Sequence, residues 1–124
     1  AEALRLSLRT RTVRVTGLPQ DPTLLAGVKD FVDALMPALN LTIRDGECVR
    51  NVTVLPGSRE AAVELRTVIE AQRAKENLNG LKYGDGLLAS HWPVDYAPLS
   101  DAETRLLMGT GVLGVEGDAP PGAA

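Results

Sequence analysis

Polar and apolar residues alternate through Thr12-Val13-Arg14-Val15-Thr16-Gly17-Leu18, the period-2 pattern of a half-buried strand. Val13 and Val15 take one face, Arg14 and Thr16 the other. Pro19 and then Asp21-Pro22 end the strand and open a helix, with Asp21 suited to cap it and Pro22 to its first position. Leu24, Val28, Phe31, Leu35 and Leu39, joined by Leu25 and Val32, recur at helical spacing until Pro37, which should kink or end the helix. Residues 40–48 are polar around Asp45-Gly46 and read as a loop. Alternation returns over residues 49–55 and 60–66, separated by the turn residues Pro56-Gly57-Ser58, which predicts a hairpin.

Thr67 and Glu70 have capping-box spacing and open a second helix, whose buried stripe is Val68, Ala71, Ala74 and Leu78 and whose end is Asn79-Gly80. Gly84-Asp85-Gly86 is a turn, and residues 87–92 form a fourth strand that Pro93 closes. Ser100 and Glu103 repeat the capping spacing before a short helix over 101–108. Five Gly and two Pro in the final 16 residues predict a disordered tail. The domain plan is an N-terminal basic arm over 1–11, a folded unit over 12–99, a short helix over 100–108 and a Gly/Pro-rich tail over 109–124. Strand–helix–strand–strand–helix–strand is the split βαβ order of an α+β fold: a four-stranded antiparallel sheet, spatial order 4-1-3-2, with two helices on one face. Arg14, Thr16, Asn51, Thr53, Glu60, Ala62, Glu64 and His91 should share the other, open face.

Composition narrows the chemistry. The 124 residues suit one domain, and 44% apolar with 23% charged allows a core. Only Phe31, Tyr83, Trp92 and Tyr96 are aromatic, so the core must be aliphatic. The net charge of −3 lacks the basic excess that usually marks a nucleic-acid partner. The charge is nonetheless uneven: Arg5, Arg9, Arg11 and Arg14 face Glu2 alone at the start, and acids dominate after residue 95. A solvated arm and a solvated tail account for this. One Cys and one His exclude an internal disulfide and a structural zinc site, and leave no nucleophile–base pair. Cys48 reads as a free structural thiol. Gly109-Thr110-Gly111-Val112-Leu113-Gly114 matches GxGxxG but lacks the strand before and the helix after that a dinucleotide site requires. Neither enzymatic activity nor a cofactor is expected. No apolar run approaches the ~20 residues of a membrane span, and the opening residues do not read as a signal peptide. Asn40-Leu41-Thr42 and Asn51-Val52-Thr53 would be glycosylation acceptors only in a secreted protein.

Val13–Leu18 and Ser58–Leu65 sit where the RNA recognition motif carries its hexamer and octamer, and Leu78-Asn79-Gly80-Leu81-Lys82-Tyr83-Gly84-Asp85-Gly86 resembles the end of such a domain. Trp92-Pro93-Val94-Asp95-Tyr96-Ala97-Pro98-Leu99 is similar to the Arg-Pro-x-Asp-Tyr-x-Pro-Leu stretch of the U2 snRNP auxiliary factor large-subunit family, where it closes the first RNA recognition motif. The resemblance covers about residues 12–99. It implies a nuclear pre-mRNA splicing domain that contacts single-stranded pyrimidine-rich RNA at 3′ splice sites, alongside other splicing proteins, as a monomer when isolated and without a membrane.

The departures fall on the family's RNA surface. Arg14 stands for the hexamer aromatic, Glu60 and Ala62 for the octamer aromatics, Ser58 for a basic residue and Gly17 for an Asn, while Ala89, His91 and Trp92 replace basic positions. Stacking is worth ~1–3 kcal/mol per base, so RNA binding should be weak. The candidate binding residues are Arg14, Thr16, Asn51, Thr53, Arg59, Glu60, Ala62, His91, Trp92 and Asp95. Arg14 can stack on a base, bind a phosphate, or pair with Glu60 or Glu64 across the strand. Trp92 can stack on a base or pack against the domain, and Tyr96 is expected to anchor near the sheet edge. A protein-interaction module on the same fold is the alternative function, and an unrelated split-βαβ ligand-binding domain a third.

Overall fold

Val13 and Val15 lie at the centre of the molecule because their strand is flanked on both sides. The computed structural model describes residues 2–55, 57–115 and 118. In it β1 (Thr12–Thr16) pairs antiparallel with β3 (Glu60–Leu65) on one edge and with β6 (Ala89–His91) on the other, while β2 (Val49–Leu55) pairs outside β3. The order β2-β3-β1-β6 is the expected 4-1-3-2 read from the opposite edge. Val13, Val15, Ala61, Val63 and Leu65 are fully buried against Val28, Val32 and Met36 of α3 (Val28–Ala38) and Ala71, Ala74 and Leu78 of α4 (Val68–Leu78). The period-2 and helical stripes thus face each other across one aliphatic core. Fully burying a Val, Leu or Met side chain is worth about 1.5–3 kcal/mol.

Both expected cap types form. Asp21 accepts from the Thr23 amide, Thr67 Oγ1 accepts from the Glu70 amide, and Ser100 with Glu103 closes a reciprocal capping box on α5 (Asp101–Leu107). The single helix expected after β1 is instead α2 (Pro22–Ala26) and α3, joined at Gly27. The Gly27 amide closes the α2 turn onto the Thr23 and Leu24 carbonyls, and a Cβ there would stand 3.0 Å from the Tyr83 hydroxyl. That hydroxyl donates to the Leu24 carbonyl at 2.5 Å, while the Tyr83 ring packs on Phe31. Pro37 stands within the last turn of α3, which runs on to Ala38.

The expected fourth strand is also divided. Leu87 belongs to a two-residue pairing of β4 (Lys82–Tyr83) with β5 (Gly86–Leu87), and only Ala89–His91 joins the main sheet. The pairing reaches over β1's exit. A Cβ on Gly17, which has φ +79°, would lie 2.1 Å from the Leu87 carbonyl oxygen, so no other residue fits there.

The N-terminal arm and the described part of the tail depart from expectation. The basic arm is a helix, α1 (Glu2–Arg11), that runs straight into β1. Ala, Leu, Glu and Arg are strong helix formers. Ala3, Leu4 and Leu6 join Val68 and Leu99 around a second buried cluster of Leu107, Val112 and Leu113. Arginines that suggested solvation therefore belong to a helix docked on α4 and α5. The tail is ordered over the residues described. The carbonyls of Val112 and Leu113 accept from the amides of Val68 and Ile69, the first two of α4, which have no partner inside their own helix. Asp118 is buried and takes the amides of Gly109, Leu113 and Gly114 on its carboxylate, so the GxGxxG loop folds around an acid of its own chain. Pro56, residues 116–117 and residues 119–124, with the turn and tail expectations that fall on them, lie outside the described residues.

Two outcomes follow from this packing. Asp118→Ala should cost about 1–3 kcal/mol for the amides left unpaired. Hydrogen exchange at Val68 and Ile69 should accelerate while β1 amides stay protected, and equal exchange in the two proteins would refute the latch. Cys48 is buried, and burial together with the nearby carboxylates of Glu70 and Asp33 pushes its thiol up to about 12. A raised thiol pKa means less thiolate, so alkylation at pH 8 should run on the order of a thousandfold slower than for a free thiol until the protein unfolds. Rapid labelling of the folded protein would contradict it.

Candidate nucleic-acid interface

Strand register places the polar residues of the open face in three cross-strand rows. Asn51, Glu64 and Thr12 form the row nearest α1, Thr53, Ala62, Arg14 and His91 the middle row, and Leu55, Glu60, Thr16 and Ala89 the far one. Seven of the ten candidate residues, Arg14, Thr16, Asn51, Thr53, Glu60, Ala62 and His91, are therefore neighbours on one surface. The other three lie elsewhere. Arg59 sits in the β2–β3 turn with φ 55°, and its Nε donates to the Leu18 carbonyl while its own carbonyl takes the Leu18 amide. Trp92 follows the inward side of β6, where Ser90 Oγ donates to the Lys75 carbonyl of α4. Its ring stacks on Tyr96 at 4.5 Å, with Lys75 Nζ 5.8 Å from the ring centre. Asp95 lies past β6, on a groove of about 400 Å³ with Arg5, Leu8, Arg9, Thr12 and Pro93.

Acids neutralise the face's central cation. Arg14 Nη1 donates to Glu60 Oε1 at 2.7 Å, a diagonal bridge between the middle and far rows. Thr16 Oγ1 and His91 Nε2 share a 3.1 Å hydrogen bond. Glu64 is held from below and from the side: Arg11 Nη1 donates to its Oε2 at 3.0 Å, and Arg50 Nε stands 3.7 Å from the same oxygen. Arg11 is 0% exposed. It donates to Ser7 Oγ at 2.8 Å, to the Leu65 carbonyl at 2.7 Å and to the Leu4 carbonyl at 2.6 Å. Burial pulls the Arg11 guanidinium below its usual pKa, and Glu64 pulls it back up. A buried guanidinium persists because nearly every donor it carries is matched.

Arg11, Leu8 and Arg50 were missed as parts of the site. Leu8 falls within the expected N-terminal arm, yet Leu4, Leu8 and Arg11 already stand at helical i, i+4 and i+7 positions. In the fold Leu8 overhangs the sheet, and a cavity of about 220 Å³ lies between it and Thr12, Asn51, Thr53, Ala62 and Glu64.

No family model matches the chain. No curated protein matches it in sequence either. Solved structures are similar in shape. The third RNA recognition motif domain of Gbp2 shares 18% identity and a TM-score of 0.47 over 68% of this chain and 76% of its own. The same domain of Mip6 gives 17% and 0.49 over 67% and 93%. The C. elegans NONO-1 homodimer gives 16% and 0.50 over 70% of this chain, which spans 30% of the NONO-1 chain. The element order, the sheet order and the helices on one face make this the α+β fold of the RNA recognition motif.

The two arginine bridges should differ in weight. Arg14 is 37% exposed, so Arg14→Ala should change stability by no more than about 1 kcal/mol. Arg11→Met strips donors from the carbonyls of Leu4 and Leu65, at about 1–3 kcal/mol for each group left unpaired. Urea unfolding of the two variants checks this, and equal midpoints would show that Arg11 is not what fixes α1.

Proposed function

We propose that this chain is an RNA-binding domain of a nuclear pre-mRNA splicing factor, contacting single-stranded pyrimidine-rich RNA at 3′ splice sites beside other splicing proteins. The observation that carries the reading is the middle row, Thr53, Ala62, Arg14 and His91, on the open face of a sheet with this topology. On the helical side, α1, α5 and residues 112–113 pack around Val68 and cap the first amides of α4. The stretch from Pro93 to Leu99 supports the splicing assignment through its likeness to the auxiliary-factor large subunit.

Binding on this face is weak by construction. The platform positions hold Arg14, Glu60 and Ala62 instead of rings, and Glu60 competes with phosphate for Arg14. Electrostatic contact alone gives low affinity that salt erodes.

Anisotropy titration of the whole chain with a short alternating cytidine–uridine RNA tests this. The dissociation constant should be no tighter than about micromolar at physiological salt and should weaken further as salt rises. Glu60→Phe removes the competing acid and adds a ring, so it should tighten binding, and Arg14→Ala in that background should lose part of the gain. Nanomolar binding that survives high salt would contradict a degenerate face. No binding by the wild type and no gain in a folded Glu60→Phe variant would move the protein-interaction function ahead.

A further inference from the structure

The end of the sheet beneath α1 differs from its centre. Ala62 stops at Cβ, Leu8 reaches over from α1, and the cavity of about 220 Å³ between them lies on the open face. At roughly 30 Å³ per water it holds the volume of about seven waters, which is room for one nucleobase. Its walls are apolar at Leu8 and Ala62, and its polar groups converge from the row of Asn51, Glu64 and Thr12.

Glu64 brings an oriented acceptor to that cavity. Both guanidiniums that approach it, Arg11 and Arg50, address Oε2, and Oε1 takes no hydrogen bond from any described residue. Arg11 cannot move, since it is buried and tied to Ser7, Leu4 and Leu65. Across the strand pair, Asn51 Nδ2 has only a 3.5 Å contact with Thr53 Oγ1, so it too can turn to a ligand. Arg50, at the rim, is exposed and its outer nitrogens have no partner among the described residues.

We infer that this cavity is a cytosine subsite. The inference rests on the RNA-binding function proposed above and adds which base is read. Cytosine presents an amino group beside a ring nitrogen and a carbonyl oxygen. The amine donates to Glu64 Oε1, Asn51 Nδ2 donates to the ring edge, and Leu8 covers one face of the ring. A Glu carboxylate accepting from the cytosine amine is a standard direct-readout pairing. Uracil places a carbonyl oxygen where that amine stands, so two acceptors would oppose each other without a proton between them. Adenine also offers an amine beside a ring nitrogen but has no carbonyl oxygen next to that nitrogen, so it keeps the contact to Glu64 and presents one acceptor fewer to Asn51. Arg50 supplies a counter-charge for the flanking phosphate.

Titration of the whole chain with oligocytidine, oligouridine and oligoadenylate reads the subsite. Oligocytidine should bind about tenfold more tightly than oligouridine, with oligoadenylate between them. Ala62→Leu fills the cavity from an open-face position, and Asn51→Ala removes one donor. Each should lower oligocytidine binding more than oligouridine binding, so that the preference between them shrinks towards one. An oligomer of N4,N4-dimethylcytidine, which has no amine hydrogens, should bind as oligouridine does, and this result does not depend on how well either variant folds. Equal affinity for cytidine and uridine oligomers, or a cytidine preference that dimethylation leaves intact, would overturn the subsite while RNA binding stands. Failure of every oligomer to bind would overturn both.

Discussion

A guanidinium buried at the joint between α1 and β1 sets the geometry of everything around it. Arg11 reaches Ser7, Leu4, Leu65 and Glu64, which commits the first helix to one direction as the chain passes into the central strand. Taking such a charge out of water is costly, and only a nearly complete set of acceptors offsets the cost. With α1 held there, Ala3, Leu4 and Leu6 meet Leu107, Val112 and Leu113, and the second cluster closes over α4. The same constraint hangs Leu8 over the open sheet and fixes the carboxylate of Glu64. Fold and candidate site therefore share one anchor.

The open face is electrically balanced where a nucleic-acid surface would ordinarily be positive. Glu60 occupies Arg14, and Glu64 is shared between Arg11 and Arg50. Little net attraction for phosphate remains at the centre, and among the described residues of the face His91 supplies the one ring on which a base could stack. Under the proposed function, such a face would recognise base edges by its polar groups, with phosphate contact confined to the rim.

Most of the sheet was legible because alternation is a local signal with a strict period. Val13, Val15, Val63 and Leu65 could face only one way, and the polar rows of the open face followed from them. The caps at Asp21, Thr67 and Ser100 were readable for the same reason, since each acts within four residues. What sequence reading missed depends on distant partners. Arg11 looked like a solvated charge because two of its four acceptors, Leu65 and Glu64, lie more than fifty residues away. Residues 109–115 looked like part of a disordered tail because the contacts that place them are the caps on α4 and the amides around Asp118. Trp92 could not be placed from alternation alone, because its position was settled by Tyr96 and Lys75.

The central claim is that the working surface is the open sheet at the end that α1 overhangs. Amide chemical-shift mapping of the isotope-labelled whole chain with a cytidine-containing RNA locates the contact directly. The account predicts the largest changes at Leu8, Arg50, Asn51, Ala62 and Glu64, with Gln72 and Leu113 on the helical side unmoved. Changes centred on α4, α5 and the tail, with the open face silent, would contradict it.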